Sequence, residues 1–318
     1  MRVFVTGATG FIGSAVVKEL LSAGYNVIGL TRSAKGADRL RALGAKARIG
    51  RLNQLEVLRQ AAVDSDGVIH TAFIHGLSHM GLATRFRLFA GALSSGLMPS
   101  FMRILWETET LAVRALGTAL EGSGRPLVVA SGVLGLPQGR TSTEEDKHVE
   151  GAPNRSFSET AALDWVSRGV RASVVRLAPS VHGVGDHGLI PQIIQAARKK
   201  RSSVYIGDGA NRWPAVHRFD AARLFRLALE HGEPGAKYHG VDETGIPFRE
   251  IASKISAKLK TLTASVPSAK SAKHLRFLAD FIALDNPSSS EWTRQALGWK
   301  PDQARLLADL EHPDYFKT

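Results

Sequence analysis

Three glycines, Gly7, Gly10 and Gly13, stand between the apolar run Val3-Phe4-Val5 and the stretch Phe11-Ile12-x-x-Ala15-Val16-x-x-x-Leu20-Leu21. The run has the uninterrupted, β-branched character of a buried parallel strand, and the stretch has helical spacing. Glycine permits a tight turn and close backbone approach, while a helix N-terminus offers N–H groups and the positive end of a dipole. Strand, glycine turn and helix in that order predict a pyrophosphate site built from Gly7, Thr9, Gly10, Phe11, Ile12 and Gly13. The spacing GxxGxxG is one residue wider at the front than the GxGxxG form.

The next chemistry-bearing group follows Asn26-Val27-Ile28-Gly29-Leu30-Thr31, which reads as the second strand. In a dinucleotide fold the end of that strand meets the adenosine ribose, where an acidic residue would bind the 2′-hydroxyl and repel a 2′-phosphate. This chain instead offers Arg32 and Ser33, with Lys35 close by. These residue types suit a phosphate, so NADP (NADPH) is expected in preference to NAD.

Thr6-Gly7-Ala8-Thr9-Gly10-Phe11-Ile12-Gly13 resembles the cofactor fingerprint of the extended short-chain dehydrogenase/reductases, the NAD-dependent epimerase/dehydratase group. Further resemblances extend to about residue 245. They imply an α/β fold, a Rossmann-type doubly wound parallel sheet with a smaller C-terminal substrate-covering part. In relatives the third strand ends in an Asp-Leu pair beside the adenine; here the pair is Arg51-Leu52, so only Leu52 carries over. Asp66 to Phe73 resembles the fourth strand and its exit, which implies that Thr71, Ala72 and Phe73 line the ribose and nicotinamide passage. His70, inside that apolar strand, reads as a core histidine. Ala172 to Gly183 resembles the sixth strand and the turn that flanks the nicotinamide, and Gly207 to Ala222 a segment ending in a helix.

The resemblance also implies a Tyr-x-x-x-Lys pair on the helix after the fifth strand, where a tyrosine passes a proton and a lysine lowers its pKa. None of the four tyrosines, Tyr25, Tyr205, Tyr238 and Tyr315, lies there; the two slots fall near Arg155 and Glu159. An atypical member of the group is therefore expected. Pro126 to Gly132 reads as the fifth strand, and Ser131 at its C-terminal end is the best hydroxyl candidate. His75, after the fourth strand, is the candidate acid because imidazole titrates near neutral pH; His182 and His187 are weaker candidates. His75 and His79 lack a third ligand, so no metal is expected. The leading expectation is an NADP-dependent oxidoreductase, of carbonyl reductase or alcohol dehydrogenase type, acting on a hydrophobic small molecule. Two alternatives stand beside it: a cofactor-retaining isomerase or cyclase, and a dinucleotide sensor of the NmrA-like kind.

The 318 residues suffice for a large core, read as a Rossmann domain over 1–180 and a mainly substrate-covering part over 181–318 interleaved with returning Rossmann elements. Residues 76–106 form an atypical helical insertion whose stretch 82–102 could be a lid, a dimer contact or added core. A helix is expected from Glu107 to Glu121 with Leu111, Ala115, Leu116 and Leu120 on one face. In relatives this region commonly forms half of a dimer's four-helix interface, so a homodimer is among the expected assemblies. The net charge of +12 is spread along the chain, its densest run Arg198-Lys199-Lys200-Arg201 reading as a solvated helix end, so nucleic acid is not expected as a partner. Absence of cysteine excludes disulfides, thiolate zinc sites and a cysteine nucleophile. No apolar run is long enough for a membrane span, and Met1 leads straight into the first strand, so no membrane and a cytoplasmic location are expected.

Overall fold

The computed structural model describes residues 1–73, 97–149, 156–269, 275 and 278–317. In chain order β1 (Arg2–Thr6), α1 (Phe11–Ser22), β2 (Asn26–Thr31), α2 (Ala34–Ala42), β3 (Lys46–Ile49), α3 (Leu55–Val63) and β4 (Gly67–His70) alternate. Helix α4 (Leu97–Leu120), β5 (Pro126–Gly132), α5 (Ser156–Leu163) and β6 (Arg171–Leu177) follow. Then come β7 (Ser180–His182), α6 (Leu189–Lys200), β8 (Ser202–Ile206), β9 (Arg212–His217), α7 (Arg218–His231) and β10 (Lys237–Gly240). The rest comprises β11 (Glu243–Pro247), α8 (Phe248–Leu259), β12 (Leu262–Val266), α9 (Leu278–Ile282), α10 (Glu291–Leu297) and α11 (Leu306–Asp309).

The large sheet has seven strands in the order β10-β6-β5-β4-β1-β2-β3. β1 pairs in parallel with both β2 and β4, so the winding reverses between β1 and β4. At such a switch point the loops leaving the two strands diverge and open a crevice beyond their carboxyl ends. The loop after β1 carries the three glycines, and the exit of β4 carries Thr71 to Phe73.

The chain divides into two compact units: residues 1–131, 156–174 and 228–236, and residues 132–155, 175–227 and 237–318. In the first, Phe4, Val68, Leu127 and Val129 of the sheet pack with Leu58, Leu116, Leu120 and Trp165 of the helices. In the second, Ile190, Ile194, Trp213, Phe248, Ile251 and Leu306 form a separate core, with Trp213 edge-on to Phe248 at 5.1 Å between ring centres. Each fully buried side chain of this kind contributes about 1.5–3 kcal/mol. The second unit also holds two small sheets, β11-β9-β7 and β12-β8.

Three local expectations change. Helix α4 begins at Leu97, ten residues before Glu107, with Pro99 in its first turn, where a missing N–H costs no helical bond. Of the expected face Ala115, Leu116 and Leu120 are buried, joined by Ala112 and Val113, whereas Leu111 is 48% exposed and alone falls outside it. The helix that the resemblance implies after the fifth strand ends at Leu163 and is followed by a 3-10 turn, Val166–Arg168. Gly169 stops it at φ 74°, and the Trp165 indole lies where a Cβ on Gly117 would be. The expected sixth strand splits into β6 and β7 at Ala178-Pro179, because proline cannot donate to a ladder.

Candidate cofactor and active site

The glycine loop is a cradle whose shape depends on missing side chains. Gly7 adopts φ 71°, and a Cβ there would approach the Ala72 nitrogen at 2.8 Å and the Thr71 hydroxyl at 2.9 Å. A Cβ on Gly13 would overlap the Gly7 carbonyl, so the first turn of α1 lies directly on the loop. The Gly10 N–H donates to the Gly7 carbonyl at 2.8 Å and closes the turn. Gly10 begins α1 in extended conformation without a side-chain cap, and no acidic residue occupies the first turn. The positive end of the helix is thus left to an anion.

β4 supplies the opposite wall. The Thr71 hydroxyl donates to the Thr6 carbonyl at 2.8 Å, and Thr6 Oγ1 lies 2.9 Å from buried His70 Nδ1. His70 is fully buried, the core position expected for it. The structure therefore brings Gly7, Gly13, Thr71 and Ala72 into contact, with Thr9 and Gly10 exposed at the loop and Phe11 and Ile12 half-buried behind them. Leu52 and Phe73 share a small apolar cluster with Ile104 and Leu105 of α4. These groups fit a dinucleotide: a glycine cradle, an uncapped helix and an apolar border beside them.

Arg32 and Ser33 immediately follow β2, and both are exposed. Ser33 also caps α2, its hydroxyl accepting the Gly36 N–H at 3.1 Å. The apparent spread of basic residues along the chain is corrected here. Residues 31–54 carry seven Lys and Arg against the single acid Asp38, a net +6 of the chain's +12.

Ser131 is buried at the end of β5. Its strand neighbour Val129 pairs with His70, and Thr6 pairs with His70 on the other side, which sets Ser131 level with Ala72. Two strand spacings separate it from the glycine loop, roughly 10 Å. His75 lies outside the described residues, as do Arg155 and most of the 76–106 insertion. Helix α5 carries Ser158 and Glu159, and the buried Ser158 hydroxyl donates to the Glu109 carboxylate of α4 at 2.9 Å. Sequence reasoning missed Glu109 because a single acid in an apolar helix gives no local sign of its partner on another element.

The second unit gathers acid–base groups of its own. His182 Nδ1 bonds Asp309 at 2.9 Å, and the Tyr315 hydroxyl donates to the same carboxylate at 2.8 Å while accepting the Gly183 N–H at 2.7 Å. Burial would raise Asp309, but the hydrogen bonds from His182 and Tyr315 outweigh it and hold the carboxyl below its ordinary range. Burial raises Asp186 to about 6, partly opposed by the Gly188 N–H. His217 is lowered to about 4, first by burial and then by His182. His182 is thus a buried partner of Asp309, whereas His187 is exposed. Among the described residues no cluster of His, Asp and Glu could hold a metal ion, and no helix is long and apolar enough to cross a membrane.

The NAD dependent epimerase/dehydratase family matches residues 3–82 and 105–241. An uncharacterized protein of Schizosaccharomyces pombe is 43% identical over 317 residues, spanning 99% of this chain and all of the relative. A 4-hydroxy-2-methyl-3-oxo-4-farnesyl-3,4-dihydroquinoline-1-oxide ketoreductase of Stigmatella aurantiaca is 26% identical over 290 residues, covering 86% of this chain and 79% of the relative. Among solved structures, the dTDP-glucose 4,6-dehydratase DesIV of Streptomyces venezuelae, with NAD bound, is similar at a TM-score of 0.75. It is 21% identical, with 99% of this chain and 97% of that one covered, which speaks to fold alone.

Proposed function

Because the chain belongs to the NAD dependent epimerase/dehydratase family, we propose that it is an NADP-dependent oxidoreductase reducing a carbonyl, or oxidising an alcohol, on a hydrophobic small molecule. The observation that carries the cofactor preference is Arg32 at the exit of β2, in the place where an acid would select NAD. The local net charge of +6 supports the same preference. An apolar substrate is supported by the Stigmatella ketoreductase, whose name carries a farnesyl group, and by the apolar cluster of Leu52, Phe73, Ile104 and Leu105.

When bound, the nicotinamide would supply hydride-transfer chemistry at a carbonyl carbon, and the chain would have to provide the proton for the oxygen. The chain's part is to bind and orient. Gly7, Thr9, Gly10, Phe11, Ile12 and Gly13 hold the pyrophosphate, Arg32 and Ser33 the 2′-phosphate, and Leu52 borders the adenine. Thr71, Ala72 and Phe73 line the passage towards the reacting ring. Ser131 Oγ is the hydroxyl assigned to hydrogen-bond the substrate oxygen, with His75 as the acid. Helix α5 offers neither tyrosine nor lysine for that proton, which supports an atypical active site. The same feature favours a second reading, a non-redox isomerisation with the cofactor retained. A homodimer through α4 is in keeping with its exposed Trp106 and Leu111, and a chain without cysteine suits the cytoplasm.

Calorimetric titration with NADPH and NADH, followed by NADPH consumption against a carbonyl panel, tests this assignment. NADPH is expected to bind at least about tenfold tighter, and Arg32→Asp to remove that advantage while leaving NADH binding within about twofold. Equal loss for both cofactors, or no change, overturns the phosphate assignment. Substrate alteration without net NADPH oxidation favours the isomerase.

A further inference from the structure

β2 and β3 run in parallel with Thr31 opposite Ile49, and the Gly50 N–H donates to the Thr31 carbonyl at 2.8 Å, carrying the ladder one step beyond the strands. Arg32 and Arg51 therefore leave two adjacent strands at the same edge of the sheet, about one strand spacing of ~5 Å apart and one residue out of step. They are nineteen positions apart in sequence, and no local pattern connects them.

The backbone of Arg51 is fixed on both sides. Its N–H donates to the Gln54 side-chain carbonyl at 2.8 Å, and its carbonyl accepts the Gln54 N–H at 3.0 Å, in the turn that starts α3. The Arg51 side chain, half-buried, takes no part in that turn. Neither Arg32 nor Arg51 has an ion pair among the described residues. The three acids between residues 31 and 64 are each engaged elsewhere: Asp38 with Arg41 at 2.7 Å, Glu56 with Arg59 at 2.7 Å and Asp64 with Arg48 at 3.7 Å. Two cationic residues thus leave adjacent strands at one edge of the sheet, with no carboxylate paired to either among the described residues. That arrangement focuses a positive field, and a phosphate monoester dianion would relieve it with charge-assisted, bidentate hydrogen bonds.

We propose that Arg51 is the second arm of a two-arginine clamp, with Arg32, for the 2′-phosphate of the adenosine ribose. The assignment rests on the NADP preference above and adds to it the residue that sets its strength. Arg51 stands in the position where the family resemblance implies an acid. The acid of relatives borders the adenine, so the effect on the 2′-phosphate is assigned to the added cation alone.

The test titrates the wild type, Arg32→Gln, Arg51→Gln, Arg51→Lys and the double Gln variant with NADPH, NADH, adenosine 2′,5′-bisphosphate and 5′-AMP. Arg51→Gln is expected to weaken NADPH and the bisphosphate roughly tenfold, with NADH and 5′-AMP within about twofold. Arg51→Lys should restore part of the loss, because it keeps the charge and gives up the bidentate fork. The double variant should bind NADPH no better than NADH, and the salt dependence of bisphosphate binding should flatten. If Arg32→Gln costs NADPH affinity and Arg51→Gln does not, the clamp has one arm and the inference fails while the NADP preference stands. If neither variant changes discrimination, both fail. Equal losses for NADPH and NADH in Arg51→Gln would put Arg51 on the shared adenosine and overturn the clamp. Both side chains lie outside the cores, and matched thermal unfolding curves confirm that each variant is folded.

Discussion

Arg32 and Arg51 at the sheet edge of the first unit have no acidic partner among the described residues, whereas the buried carboxylates Asp220 and Asp309 of the second unit are satisfied by its own structure. Asp220, fully buried, accepts the N–H groups of Asp302 and Gln303 at 3.1 Å each and pairs with Arg223, while its backbone carbonyl takes the Trp299 indole N–H at 3.0 Å. Asp309 takes His182 and Tyr315 in the same way. A buried carboxylate must be satisfied from within, because losing water costs several kcal/mol. An exposed arginine keeps its water and can wait for a ligand. The buried polar groups of the second unit are therefore expected to act on stability, and the proposed clamp at the edge of the first on binding.

The sharpest break of this contrast is Asp220→Ala. Removing one partner from a buried charged network typically costs about 3–5 kcal/mol, so denaturant unfolding should show a loss of that size. The ratio of NADPH to NADH affinity should stay as it is; a changed ratio would mean that the second unit's network is not purely structural.

Gly13→Ala cuts across the contrast, since the new Cβ overlaps the Gly7 carbonyl. Overpacking of this kind costs about 1–3 kcal/mol. Affinity for NADPH and NADH should fall together, because the pyrophosphate is common to both. Unaltered calorimetric affinities in a folded Gly13→Ala variant would remove the glycine loop from the cofactor site.

The smallest effect is a matter of pH. Asp186 has its folded pKa raised to about 6 from 3.8, so its contribution to stability is full below 3.8 and lost as pH rises through 6. His217, lowered from 6.5 to about 4, contributes fully above 6.5 and loses its contribution as pH falls through 4. Between pH 4 and 6 the two oppose each other. Asp186→Asn should therefore leave the His217 slope uncovered: its Tm should drop more steeply than the wild type's on acidification from pH 6.5 to 4. Parallel Tm curves for the two proteins would show that the Asp186 carboxyl is not held up by burial.

Much of the first unit was legible because its signals are local. A parallel strand needs a continuous apolar run, a turn against a neighbouring strand needs glycine, and the helix must begin within a few residues; Val3 to Leu21 states all three in order. Arg32 was legible for the same reason, since its place follows directly from the end of β2. The exposure of Leu111 on α4 was not, because helical spacing admits it beside Ala115 and only the packing partners leave it outside the buried face.

The sequence by itself thus determined the order of strands and helices through the first half of the sheet, the glycine cradle and the absence of tyrosine and lysine from α5. Tertiary structure decided which distant groups meet. Arg51 leaves the sheet beside Arg32 only because β3 pairs beside β2, and His182 finds Asp309 across 127 residues. Short-range steric and propensity rules write themselves into spacing, whereas strand pairing and the docking of the C-terminal segment depend on burial summed over the whole core, which no local pattern records.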